Sequence, residues 1–227
     1  RDGDVWVLTM TKADNRFNPR WASAFSAALD RVEASSGPAA LVITSSSPKF
    51  FSNGLDLDNL TVDELPVFVS GTFQPLIARL LEFPVPTVAA LPGHAFAGGF
   101  MLALACDYRV MNNRRGYCCL NEAEIGLPLT IGMTALVMAK LAGVALRDAV
   151  LEARRFKADD AAALGVIDHA VPPDDVLPRA IELAQRVAKY GGDRFCVGKH
   201  KERMHAPATA ALRAETAAAG REYRSKL

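Results

Sequence analysis

Short apolar runs alternate with longer amphipathic stretches along this chain, and the alternation sets out its elements before any single residue is considered. Val5-Trp6-Val7-Leu8-Thr9 is rich in β-branched and aromatic residues and predicts a strand. Pro19 opens an Ala-rich segment of helical period that reaches about Ser35, and Gly37-Pro38 breaks it. Ala40 to Thr44 is apolar almost throughout, as strands covered on both faces are. Ser45 to Asn53 predicts a polar loop; a helical stretch follows from Asp63 to Glu82, interrupted by Pro66 and Pro75 and ended by Pro84 and Pro86. Thr87 to Leu91 predicts a strand, Gly93 to Gly99 a loop of glycine and alanine, Phe100 to Ala105 a helix apolar on every side, and Tyr108 to Met111 a strand. Further on the period is helical around Thr130 to Ala142, Leu146 to Leu151, Ala158 to Leu164 and Asp174 to Lys189, with strand-like Val166-Ile167-Asp168 between them. The repeated strand, helix, strand order predicts an α/β fold with right-handed crossovers and a helical C-terminal region.

Composition narrows the classes. A chain of 227 residues, half of them hydrophobic, can bury one large core. No apolar run approaches the roughly 18 residues of a membrane span, so none is expected. A formal net charge of +1 gives no basic excess for nucleic acid. Cys106, Cys118, Cys119 and Cys196 have neither CxxC spacing nor paired histidines; they predict buried thiols in a reducing compartment and no metal site. The start, Arg1-Asp2-Gly3-Asp4, carries no initiator Met and no stretch like a signal peptide. Ser225-Lys226-Leu227 is the tripeptide read at a free carboxyl end as a peroxisomal address. With Leu227 as the natural terminus, the expected location is the peroxisome and an expected partner is its import receptor.

Two glycine-containing loops, each between a predicted strand and a predicted helix, are the first candidates for chemistry. One is Phe50 to Asp56; the other is Gly93 to Gly99. Glycine exposes backbone N–H groups, and Gly98-Gly99 at a helix start aims amides and the helix dipole at developing negative charge. Together the loops can form an oxyanion hole. Their spacing is not the GxGxxG of a dinucleotide fold, and the chain has neither a Walker loop nor a GxSxG elbow.

At these residues the chain resembles the crotonase (enoyl-CoA hydratase/isomerase) superfamily. Phe51-Ser52-Asn53-Gly54-Leu55-Asp56-Leu57 is similar to its FSxGxDL segment, and Gly93 to Arg109 to its GxxxxGGxxLALxCDYR segment. Within the superfamily the Δ3,Δ2-enoyl-CoA isomerases are most similar, through Cys106-Asp107-Tyr108-Arg109 and Leu120-Asn121-Glu122. The resemblance implies a ClpP/crotonase-like spiral of ββα units over about residues 1–190. Residues 191–227 would form a helical trimerisation region, giving a homotrimer or a dimer of trimers. It implies an acyl-CoA substrate with coenzyme A as part of that substrate and no separate cofactor. The thioester oxygen would rest on the N–H groups of Leu55 and Gly98, with Asn53, Gly54, Asp56, Gly99 and Met101 around it and Arg16 toward the coenzyme A phosphates.

The proton-transfer acid is expected in Asn121-Glu122-Ala123-Glu124. Asn121-Glu122 looks like the isomerase element, whereas Glu124-Ile125-Gly126-Leu127 looks like the EIGL of hydratases. The shorter spacing from Gly98 favours Glu122, with Glu124 as second choice. Where hydratases carry a second glutamate after the glycines, this chain has Met101. Hydration needs two proton-handling groups, whereas an allylic shift needs one shuttle. The expected reaction is therefore conversion of a 3-enoyl-CoA to the 2-trans-enoyl-CoA in fatty-acid β-oxidation. The alternatives are an enoyl-CoA hydratase, a dienoyl-CoA isomerase, or a crotonase-fold protein that binds acyl-CoA without turning it over.

Overall fold

The computed structural model describes residues 2–214; the expected targeting tripeptide lies outside them. Five parallel strands form the main sheet in the order β1-β2-β4-β6-β8: β1 (Val5–Met10), β2 (Ala40–Ser45), β4 (Thr87–Leu91), β6 (Tyr108–Asn112) and β8 (His169–Val171). Alternation sends neighbouring residues to opposite faces. Leu41, Ile43, Ala89 and Leu91 join the larger core, while Ala40, Val42, Val88 and Ala90 pack with Ala180, Leu183 and Ala184 of α8 (Val176–Ala188). Both faces are covered, which is why these strands read as unbroken apolar runs.

Three shorter strands form a second parallel sheet in the order β3-β5-β7: β3 (Phe50–Ser52), β5 (His94–Phe96) and β7 (Cys118–Cys119). The first two occupy segments expected as loops. Only two or three residues long, they owe their pairing to tertiary neighbours rather than to local pattern. The strand expected at 166–168 lies one turn later, at β8, because Val166 and Ile167 donate their N–H groups back to Ala161 O and cap α7 (Ala158–Ala163).

The helices fall where period and breakers put them. Asn18 caps α1 (Pro19–Glu33) by accepting the Trp21 N–H, and Pro19 takes the position where no intrahelical donor is needed. Between Glu64 and Leu81 the expected interruptions are absorbed. Pro66 sits in the first turn of α2 (Glu64–Phe68), and a π-helical turn, Val69–Phe73, joins it to α3 (Gln74–Leu81), with Pro75 in that helix's first turn. α4 (Gly98–Ala105) is buried at all eight positions, so it is apolar on every side. After α5 (Ile131–Lys140) and α6 (Gly143–Leu151), the chain returns through α7, β8 and α8 to the long α9 (Arg194–Ala214), which packs along α3 and α5. Among the described residues no helix is long and apolar enough to cross a membrane.

Candidate active site

The short sheet positions the site. Its three strands are parallel, so their carboxyl ends face one edge, and each delivers one candidate loop there. β3 runs into Asn53-Gly54-Leu55, β5 into Ala97-Gly98, and β7 into Leu120-Asn121-Glu122.

The first loop is held by groups outside it. Asn15, buried and at φ 47°, donates its amide to Ser45 Oγ (2.7 Å) and Phe51 O (3.0 Å). Ser52 Oγ donates to Asn15 O (2.7 Å) and accepts the Gly54 N–H (3.1 Å). Phe17 bridges on: its N–H donates to Gly54 O (2.8 Å) and its carbonyl accepts the Asp56 N–H (2.9 Å). Gly54 has φ +79°, a left-handed conformation that glycine takes without penalty. The Leu55 N–H is left with no acceptor among the described residues.

The second loop comes within touching distance of the first. A Cβ on Gly54 would lie 3.1 Å from the Gly98 N. Ala97, with φ 49° and ψ −123°, is a strained non-glycine turn just before α4, and its N–H donates to Cys119 O (2.9 Å). That turn leaves the Gly98 N–H, like Leu55's, without an acceptor among the described residues. Two unspent N–H groups at one sheet edge, one of them at a helix start, are the arrangement that stabilises an oxyanion.

The third loop brings the candidate acid. Cys119 is pinned to Ala97, the residue before Gly98, and Glu122 follows only three residues on, a reach of at most about 11 Å from Cys119. Glu122 is half-buried as a residue, yet its Oε2 is shut off from solvent and finds no hydrogen-bond partner among the described residues. Burial pushes the carboxyl up to about 7, against a smaller opposing pull from its own backbone N–H. Gly126 at φ +69° closes the loop, with the Leu127 N–H donated to Glu122 O (3.0 Å). The EIGL glycine therefore has a structural task here. Glu124 is exposed and paired with Arg155 at 2.9 Å. A cavity of about 290 Å³ opens beside Glu122, walled mainly by Leu120, Leu127, Leu129 and Val150.

The other expected residues divide. Asn53 stands at the first loop with its N–H donated to Asp14 O (2.9 Å). Asp56 is buried, and its carboxylate accepts from the side chains of Asn18 (3.0 Å) and Asn59 (2.9 Å), which makes it a brace for the turn. Gly99 is a packing glycine: a Cβ there would come 2.4 Å from Ser52 O. Met101 is fully buried in the core and is not among the residues that line this cavity or the larger one. Arg16, ion-paired to Asp14 (3.6 Å) and Asp58 (3.4 Å), lines the larger cavity of about 790 Å³, which also carries Lys12, Arg20 and Trp21 between β1 and α1. His94 is stacked on Phe96 and Tyr117, with ring centroids 4.9 and 5.4 Å apart. No group of three or more His, Cys, Asp or Glu side chains among the described residues is placed to hold a metal ion.

The enoyl-CoA hydratase/isomerase family model matches residues 2–225. The chain belongs to that family. As a member of the enoyl-CoA hydratase/isomerase family it is 36% identical over 205 residues to enoyl-CoA delta isomerase 3 of Arabidopsis thaliana, covering 85% of this chain and 86% of that one. It is 33% identical to the plant's peroxisomal enoyl-CoA delta isomerase 2, with the same coverage. An apo enoyl-CoA isomerase structure from Mycobacterium tuberculosis superposes with a TM-score of 0.85 at 29% identity, covering 100% of this chain and 96% of that one. The α/β expectation and the crotonase resemblance both hold.

Sequence reasoning assigned no positioning role to four residues of this candidate site: Asn15, Phe17, Ser52 and Ala97. Ser52 lay within the quoted FSxGxDL segment, and its Gly54 contact is a local serine turn that the motif makes readable. Asn15 and Ala97 carried no such signal, because a positive φ at a non-glycine residue is imposed by the packing around it.

Proposed function

We propose that this enoyl-CoA-processing enzyme is a Δ3,Δ2-enoyl-CoA isomerase of fatty-acid β-oxidation. The observation that carries the reading is one carboxylate, Glu122, whose Oε2 is shut off from solvent without a hydrogen-bond partner, on the same sheet edge as the Leu55 and Gly98 N–H groups, with methionine where a second acid would stand. The thioester oxygen of a 3-enoyl-CoA accepts both N–H groups, which lowers the cost of removing the C2 proton by about 3 kcal/mol per donor. Glu122 takes that proton, the dienolate rests on the two donors, and the same carboxyl returns the proton at C4. A group near 7 suits both halves of the cycle, since at neutral pH it neither holds nor refuses a proton strongly. The acyl chain extends into the cavity beside Glu122, and coenzyme A lies across the larger cavity with Arg16, Lys12 and Arg20 toward its phosphates. Coenzyme A is substrate here, and the reaction needs no other cofactor.

Peroxisomal import belongs to the same proposal. It is supported by Ser225-Lys226-Leu227 and by relatives that carry the word peroxisomal in their names. Assembly as a homotrimer or dimer of trimers is supported by exposed Ile131 and Met138 on α5 and Leu151 on α6.

The test follows absorbance of the conjugated thioester from trans-3-hexenoyl-CoA beside hydration of a 2-enoyl-CoA, in wild type, Glu122→Gln and Glu124→Gln. The expected result is fast conjugation, a loss of about 10³-fold in kcat with Glu122→Gln, and a change of no more than a few-fold with Glu124→Gln. Because the base must be ionised, kcat/KM should rise through about pH 7 and level above it. Hydration without conjugation, or loss of conjugation with Glu124→Gln alone, overturns the assignment.

A further inference from the structure

A third cavity, of about 350 Å³, lies at the amino ends of β4 and β6, between α5, α8 and α9. Lys140 and Lys201 share its wall with apolar Val187, Val197 and Met204. Lys201 is buried and its ammonium is engaged, donating to Val85 O (2.8 Å) and Asp107 Oδ2 (2.5 Å). Asp107 is engaged too, since the same oxygen accepts the Thr87 N–H (2.8 Å) and hydroxyl (3.1 Å). Lys140 differs. It ends α5, is half-buried, and reaches a single acceptor, Cys106 O at 2.9 Å, which Arg109 Nη1 also approaches at 3.0 Å.

The surroundings of Lys140 disfavour its charged form. Burial has the largest effect, the Arg109 guanidinium adds to it, and Lys201 pushes the same way; Asp107 and the Cys106 thiol pull back. From α9, His205 also faces the cluster, and His200 and Tyr108 line the cavity. The amine is brought down to about 8, so near neutral pH a sizeable fraction of it is free base at the wall of a cavity with apolar sides.

We propose that Lys140 is a site of covalent N-acylation by acyl-CoA thioesters, with the adjoining cavity taking the acyl group. The neutral Nζ attacks the thioester carbonyl; a C–N bond forms as the C–S bond breaks, the amine proton passes to the departing thiolate, and coenzyme A leaves as the free thiol. No oxidant or reductant enters the balance. The acyl donor is of the class this family handles, and the inference does not depend on Glu122 being the isomerase base. The modification replaces a cation of the Arg109, Lys201 and Asp107 cluster with a neutral amide.

At pH 7.5 an amine near 8 is about one-quarter free base, against roughly one part in a thousand for an ordinary exposed lysine. A weaker base is also a poorer nucleophile, and by analogy with thiols this returns about one factor of ten. The net expectation is acylation about twentyfold faster than at an exposed lysine. The full chain is incubated with acetyl-CoA between pH 6.5 and 9.5, proteolysed, and the occupancy of each lysine is read by mass spectrometry, with exposed Lys49 and Lys157 as references within the same molecule. The expected result is faster modification of Lys140 than of either reference, with a rate that levels off above about pH 8. A rate at or below the references, or one that climbs alongside theirs to pH 9.5, overturns the proposal.

Discussion

Replacing Glu122 with glutamine should stabilise the protein at alkaline pH while abolishing its chemistry, and the size of the gain follows from the site. A carboxyl near 7 in the folded chain and near 4.5 when solvated means that burial opposes its charge. At 1.36 kcal/mol per tenfold this is about 3 kcal/mol, and because the residue is partly exposed, solvent screening brings it to about 2 kcal/mol. The unfolded chain releases this proton near 4.5 and the folded chain near 7, so between those values the folded state binds more protons and stability falls as pH rises. Glutamine, with nearly the shape of the protonated acid, avoids that loss. Denaturant unfolding of wild type and Glu122→Gln at pH 5, 6.5 and 8 should show midpoints that nearly coincide at pH 5 and separate in favour of glutamine by about 2 kcal/mol at pH 8. A pH-independent difference, or a glutamine variant weaker at pH 8 than at pH 5, would refute the claim that the site holds its carboxylate under strain.

Two further perturbations test the scaffold around the site. Gly99→Ala puts a Cβ 2.4 Å from Ser52 O, a backbone atom of β3, and should cost about 3 kcal/mol by chemical denaturation; an unchanged midpoint would mean that β3 and α4 are not locked as described. Lys201→Met leaves Asp107 as a partly buried charge that has lost its cation and Val85 O without its donor; a loss of about 2 kcal/mol is expected in the same assay, and retained stability would count against the pair.

Much of the main sheet was legible because its signals are local. Ala40 to Thr44 and Thr87 to Leu91 are apolar runs bounded by breakers, and Asn18-Pro19 marks a helix start that needs no tertiary context. The small sheet was not legible. Cys118–Cys119 is two residues long, and β3 and β5 read as glycine-flanked loops because their ladder partners lie more than twenty residues away. For that reason the candidate oxyanion loops could be named from motif, while the device that brings them to one edge could not. The ambiguity between Glu122 and Glu124 was of the same kind. Both are glutamates in one turn, and only the closure by Gly126 and the reach of Arg155 distinguish a sequestered carboxyl from a surface ion pair.

The hydrogen bond from Ala97 to Cys119 O is a registration mark for the chemistry. Strand pairing advances about 3.3 Å per residue, so one residue inserted or lost between Cys119 and Glu122 would carry the carboxylate several ångströms past a substrate it must meet at hydrogen-bond distance. The amide pair would stay where β3 and β5 hold it. Under the proposed function, the site for the enolate is thus fixed separately from the carboxylate that would serve it, and lengthening or shortening one turn is a route by which the same scaffold can trade one proton-transfer reaction for another.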